Sequence, residues 1–180
     1  MKKILLVLVG TIVLIGCSPL TKDRLKNPVN GIVREKVVNM IGYDKPDPLT
    51  AEYEFKDSAI VRYTLYYPDG KKKMESLPDS GRRVWTMTEY YESGSMKRMS
   101  TSSDSLFLSD RRWYENGNPE LEFVRTEGKK DKGVRYHPNG AKKEEFEFVN
   151  ERRHGMWEEW DSLGNQTRNE FYVKGKLKIQ

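Results

Sequence analysis

From about Tyr53 onward the chain repeats one hydrophobic–polar pattern. An aromatic pair leads into a short polar stretch closed by glycine, and charged and apolar residues then alternate. Trp113-Tyr114-Glu115-Asn116-Gly117, followed by Glu120-Leu121-Glu122-Phe123, is one copy. The glycines of successive copies are Gly70, Gly94, Gly117, Gly140 and Gly164, separated by 24, 23, 23 and 24 residues. Four positions before them stand Tyr66, Tyr90, Trp113, Tyr136 and Trp160. A fixed period of this size marks a repeat architecture, in which each unit is one supersecondary element that needs its neighbours.

The turn residues identify that element. Pro68-Asp69-Gly70 and Pro138-Asn139-Gly140 place Pro first. Its fixed negative φ suits the first central position of a type I turn, with Asp or Asn second and Gly next in the left-handed region. This is a three-residue hairpin with a bulge, which sets Tyr66 opposite Lys72. Counting in steps of two from Gly places Tyr136, Phe146 and Phe148 together, and likewise Trp113, Leu121 and Phe123. Glu120, Glu122, Glu145 and Glu147 take the alternate positions. The expectation is all-β: an antiparallel meander of about five β-hairpin repeats, forming an open sheet that is twisted or rolled. Five hairpins give about ten strands, roughly 45 Å across at the usual strand spacing. No long helix is predicted to cover it, so some aromatic surface is expected to stay exposed and to mark an interaction site.

The N-terminal pattern is different. Lys2 and Lys3 precede an apolar run from Ile4 to Ile15. That is too short for a bilayer core, which needs about 20 residues. A basic start, a short apolar stretch and small residues at its end describe a secretory leader. Leu14-Ile15-Gly16-Cys17 resembles the lipobox of bacterial lipoproteins. The resemblance implies a signal peptide over 1–16, with Cys17 as the first mature residue carrying fatty (palmitate) chains. It also implies a lipid anchor in the bacterial cell envelope. Ser18 after the Cys is similar to the outer-membrane sorting pattern of Gram-negative lipoproteins, on the periplasmic or surface face. Residues 17–52 are Pro- and charge-rich and read as a lipidated tether, with 53–180 as the repeat domain. Within the tether, Gly31 to Met40 fits either a strand or one helical turn, and Lys45-Pro46-Asp47-Pro48 reads as a loop.

The aromatic pair, the Asp/Asn-Gly turn and the Lys-bearing strand after it, as in Tyr66-Tyr67-Pro68-Asp69-Gly70-Lys71, resemble the bacterial variant of the MORN repeat. Arg152-Arg153-His154-Gly155-Met156-Trp157 is similar to that family's return turn. The resemblance covers roughly residues 60 to 178. It implies a meandering sheet with a binding or scaffolding role, and some relatives are labelled antitoxin-like. The fifth turn departs from the pattern, with Ser162-Leu163 where Asn or Asp is usual. So does the linker Ser100 to Trp113, whose basic pair comes late.

Charge and composition narrow the function. The 32 basic and 27 acidic residues give +5, or +3 without Lys2 and Lys3. That balance, with an envelope location, does not call for nucleic acid. Cys17 is the single Cys, so with it acylated no disulfide is available. His137 and His154 are the only histidines, and His137 occupies a repeat position held elsewhere by Tyr. Glu144-Glu145 and Glu158-Glu159 are adjacent in predicted strands, so the two members of each pair point to opposite faces. Neither a zinc set, nor a phosphate loop, nor a nucleophile elbow is present. The expectation is no enzyme, no cofactor and no metal.

Two features suit a partner. Tyr67, Tyr91 and Tyr114 form a row beside the turns, the candidate contact stripe. Arg82-Arg83, Arg111-Arg112, Lys129-Lys130 and Arg152-Arg153 form a candidate basic rim, otherwise solvation and edge protection. The expected function is a lipid-anchored envelope repeat protein that binds or scaffolds another envelope protein. The alternatives are a membrane-surface scaffold on anionic lipid and an antitoxin- or immunity-like protein.

Overall fold

A computed structural model describes residues 30–38, 48–103, 106–125 and 130–178. The expected leader, Cys17, most of the expected tether and Lys129 lie outside the described residues.

The described chain is strand and turn throughout. The strands are β1 (Asn30–Val38), β2 (Pro48–Lys56), β3 (Ala59–Tyr66), β4 (Lys72–Pro78), β5 (Val84–Tyr90), β6 (Met96–Ser103) and β7 (Phe107–Trp113). After them come β8 (Pro119–Val124), β9 (Asp131–Tyr136), β10 (Lys142–Val149), β11 (Arg152–Arg153), β12 (Gly155–Trp160), β13 (Gln166–Val173) and β14 (Lys176–Lys178). They follow one another in chain order across one open antiparallel sheet, with β11 as a side pair on β10. Among the described residues there are thus fourteen strands where the sequence predicts about ten. Among the described residues the first strand starts at Asn30, well before Tyr53. Gly31 to Val38 is strand, paired residue for residue with β2.

The chain divides into two compact units, one running to Ser95 with Ser102–Leu106 added, the other Met96–Thr101 with Phe107 onward. In the first unit, Leu49, Ala51 and Leu65 are buried on one face, with Val37, Tyr53, Tyr63 and Met74 packed against them. The opposite face carries a cross-strand row: Arg34 faces Glu52, Glu52 faces Thr64, Thr64 faces Glu75 and Glu75 faces Thr88. Arg34 bonds Glu52 at 2.6 Å.

In the second unit the core is aromatic. Leu121, Phe146 and Trp157 are buried, with Phe123, Phe148 and Tyr172 around them. Phe146 stacks on Trp157 at 5.4 Å between ring centres, and Phe148 meets Trp157 edge-on at 5.8 Å. Such pairs add about 0.5–1.5 kcal/mol each beyond the area they bury. The Phe146 ring lies directly over Gly133, where a Cβ would run into its Cζ. Only glycine fits beneath that ring.

The register corrects one expectation about faces. Tyr136 pairs with Lys142, but Arg135 pairs with Glu144, so the bulge after the turn absorbs one residue. The same shift separates Trp113 from Arg112, and Trp160 from Glu159. Tyr136 therefore lies on the face of Val134 and Glu145, opposite Phe146 and Phe148. Trp113 likewise lies opposite Leu121 and Phe123. Because side chains alternate with period two, a single extra residue moves the whole set to the other face.

Candidate functional site

Five turns share one hydrogen-bond pattern. In each, the first residue (Tyr67, Tyr91, Tyr114, His137, Asp161) donates its amide to the carbonyl four residues on, at 2.8–2.9 Å. The glycine amide returns to that first residue's carbonyl at 2.8–3.1 Å. Gly70 and Gly117 sit at φ +86° and +88°. In three turns the Asp or Asn before Gly accepts from the amide after Gly: Asp69 from Lys71, Asn116 from Asn118 and Asn139 from Ala141. The fifth turn lacks that residue, and Leu163 in its place is exposed. Asp161, at the first position, takes over by accepting from Leu163 and Asn165. The Lys71 amide and side chain hold the Asp69 carboxyl below the usual range, and the Asn165 side-chain amide, with the backbone amides of Asn165 and Leu163, does the same for Asp161.

The turns are also tied to one another, and the predicted tyrosine row supplies part of the tie. Tyr67 donates its hydroxyl to the Tyr90 carbonyl at 2.9 Å, and Tyr114 donates to the Tyr136 carbonyl at 2.8 Å. His137 Nε2 stands 2.9 Å from the Trp160 carbonyl, the same bond from a different side chain. Asn116 and Asn118 both donate to the Pro138 carbonyl, and Asn139 donates to that of Ser162. Burial raises the Tyr67 hydroxyl pKa, with Glu92, Glu89 and Asp69 adding to it, and burial with Glu120 raises that of Tyr114. Both groups stay protonated donors. All three tyrosines are thus half-buried, and Tyr67 and Tyr114 are bonded to the next turn along the array.

Within each unit the described members of the basic pairs take different local settings. Arg82 and Arg83 are exposed in the turn between β4 and β5, where Asp79 accepts from the amides of Arg83 and Val84. Arg111 and Arg112 lie within β7, just before a hairpin turn. Arg112, with Arg98, grips the buried Asp110 carboxylate at 2.7 Å each. Lys130 bonds Glu147 at 2.8 Å. Arg153 stacks its guanidinium 4.0 Å over the Trp157 ring and donates to the Tyr172 hydroxyl. Adjacent strand residues point to opposite faces, so a pair in sequence is rarely a pair in space.

The face opposite the aromatic core carries a second arrangement that parity counting from Gly places wrongly. In the second unit, Trp113, Tyr136 and Trp160 stand at equivalent positions on β7, β9 and β12, all half-buried. One rung further from the turns, Glu122, Glu145, Glu158 and Asn169 share that face. Tyr136 donates to Glu122 at 3.4 Å, and Lys142 bonds Glu145 at 2.8 Å while lying 5.0 Å over the Trp160 ring. Gln166 donates to Glu158. The register also sets Glu145 directly opposite Glu158, and Glu144 opposite Glu159 on the other face. The sequence separates the neighbours 144 and 145 but gives no sign of these cross-strand pairs. Like charges directly opposite are destabilising unless neutralised. Arg135 on Glu144 and Arg168 on Glu159, each at 2.6 Å, supply that on the core face.

Further along this face Met156 and Phe171 oppose each other, both exposed. With Lys130, Glu145, Glu147 and Glu158 they line a shallow cleft of 260 Å³. Burial alone would raise the Glu147 carboxyl, but bonds from Lys130 and Lys132 outweigh it and hold it below the usual range. Among the described residues no group of His, Cys, Asp and Glu is arranged to hold a metal ion. Compared with protein-family models, with curated protein sequences and with solved structures, the chain matches none.

Proposed function

We propose that this chain is a lipid-anchored repeat protein of the bacterial envelope, built of five MORN-like hairpin units, whose sheet binds another envelope protein. Cys17 would hold it to the membrane, and no catalytic step is assigned to it. One observation carries the binding reading. An open sheet leaves apolar side chains in water on its second unit, including Val124 (48% exposed), Met156 (40%) and Phe171 (36%). Exposed apolar groups gathered on one face mark interaction sites. The turn-to-turn bonds support the same reading, because a surface held rigid loses less entropy on binding.

The predicted tyrosine stripe becomes, in this reading, the support of the surface. The exposed Arg82 and Arg83 favour a second reading, a scaffold lying on anionic lipid, with the Cys17 chains as its other attachment.

The experiment is a pull-down from detergent-solubilised membranes with the wild-type chain, Met156→Ser/Phe171→Ser and Arg82→Gln/Arg83→Gln. Loss of a specific envelope protein from the first variant alone supports the protein-binding reading. Equal capture by all three rejects this surface. Salt-sensitive binding to anionic vesicles, lost in the arginine variant, moves the lipid reading ahead. For the anchor, Cys17→Ala should leave the membrane fraction; a variant that matures and fractionates like wild type removes it.

A further inference from the structure

Where β10 and β12 pair, carboxylates face carboxylates: Glu144 opposite Glu159 on the core face, and Glu145 opposite Glu158 on the other. Three of the four have a cation. Arg135 lies 2.6 Å from Glu144, Arg168 lies 2.6 Å from Glu159 and Lys142 lies 2.8 Å from Glu145. Glu158 has the Gln166 side-chain amide at 3.0 Å, and no cation among the described residues forms an ion pair with it. The other lysines of this face are placed elsewhere. Lys130 and Lys132 both bond Glu147, at 2.8 and 3.1 Å, and Lys178 stands opposite Phe171, two strands from β12.

Glu158 also borders exposed apolar surface. Met156 stands two residues before it on β12 and so on the same face, and Phe171 faces Met156 from β13. Met156 and Phe171 are 40% and 36% exposed. These three side chains share their cleft with Glu145, Glu147 and Lys130. The lining thus sets three carboxylates and one ammonium beside a thioether and a ring.

We propose that this cleft receives a lysine or arginine side chain from an extended, partly apolar segment of the partner protein. Such a side chain lays its methylene stem on apolar surface and keeps its charged head among polar groups. Here the stem lies on Met156 and Phe171 and the head between Glu145 and Glu158. Charge selects the occupant. Like charges directly opposite one another are destabilising, and an incoming cation relieves them, whereas an acidic or neutral segment does not. An anionic lipid headgroup has the wrong sign for this cleft.

This inference rests on the protein-binding reading and names the chemistry of its partner. The test titrates the full chain in nonionic detergent with three acetylated, amidated peptides, Ser-Leu-Arg-Leu-Ser and its counterparts with Gln or Glu at the centre. Calorimetry and the methyl resonance of Met156 follow binding. The Arg peptide should bind saturably, about fivefold tighter than the Gln peptide, with the Glu peptide weakest. Added salt should narrow the difference. Glu158→Gln should remove the preference for Arg and leave the urea midpoint unchanged or raised, because it takes away one of two opposed charges. A carboxylate already paired within the fold would instead lower the midpoint when lost. Met156→Ser/Phe171→Ser should weaken all three peptides. The proposal is overturned if no peptide binds at millimolar concentration, if the three bind alike, if Glu158→Gln keeps the preference, or if Glu158→Gln lowers the midpoint. In the membrane pull-down, an envelope protein lost from Met156→Ser/Phe171→Ser but kept by Glu158→Gln removes this inference and leaves the protein-binding reading standing. A protein kept by both variants removes both.

Discussion

The two units carry the same turns and fill their sheets differently. In the first, the buried cluster is aliphatic, Leu49, Ala51 and Leu65, with Tyr53 and Tyr63 tilted together at 4.9 Å beside it and a single buried ring, Phe55. Its buried polar groups are chiefly hydroxyls, Thr64 and Thr88. The second buries large rings, and it also encloses the carboxylates Asp110, Asp131 and Glu144. Each of these is met by arginine: Arg98 and Arg112, Arg125 and Arg135 respectively. Rings and arginines are joined, since Arg135 lies 5.3 Å over Phe146 and Arg153 lies 4.0 Å over Trp157. A hairpin array thus specifies its edges once and leaves the face between them free to vary.

The largest expected effect separates the two cores. Trp157→Ala should cost about 3–5 kcal/mol, because it leaves a cavity and removes the ring that seats Arg153. Leu65→Ala belongs toward the lower end of about 2–5 kcal/mol, in a core of smaller residues. In a quasi-one-dimensional array the damage stays near its source. Amide exchange should therefore show β10, β12 and β13 losing protection in the first variant, and β2 to β4 in the second. Equal loss across all strands in both would mean one cooperative block, and the comparison would fail.

A smaller effect concerns what the units share. At Gly70 and Gly117 an added Cβ meets nothing within 4 Å, so only the positive φ resists substitution. Gly70→Val and Gly117→Val should then cost the same, about 1–2 kcal/mol or slightly more for the β-branched side chain. Matching shifts in urea midpoint would support a common turn. A clearly larger cost at one of them would show that its turn bears load from its own unit.

The smallest effect is acid-dependent. Hydrogen bonds from the backbone of Val84 and Arg83 hold the exposed Asp79 carboxyl below its ordinary pKa. The folded value is lower than the unfolded one, so the contribution is complete above the unfolded pKa, about 4. It is lost as pH falls through the folded value. Asp79→Asn should flatten the decline in urea midpoint between pH 7 and about 3, and Asp161→Asn should do the same for the last turn. An unchanged acid limb in both variants would show that these turn carboxylates do not carry that decline.

The sequence alone determined the repeating element. Pro before Asp-Gly or Asn-Gly admits few turn conformations, and a left-handed residue needs glycine, so the hairpin and its bulge follow from local sterics. The 23- and 24-residue spacing and the apolar alternation likewise follow from covalent geometry and the period of a strand. Only the tertiary structure decided the rest. Which face Trp113, Tyr136 and Trp160 occupy depends on a one-residue bulge, and a parity count from Gly misses it, although the turn type predicted the bulge. Strand pairing set Glu145 against Glu158 and brought Arg98 to Asp110. That pairing brings together residues far apart in sequence, and no local rule encodes it. The strand at Asn30–Val38 was undecided in the same way: an apolar–polar run of that length fits strand or helix until a partner, here Pro48–Lys56, supplies its hydrogen bonds.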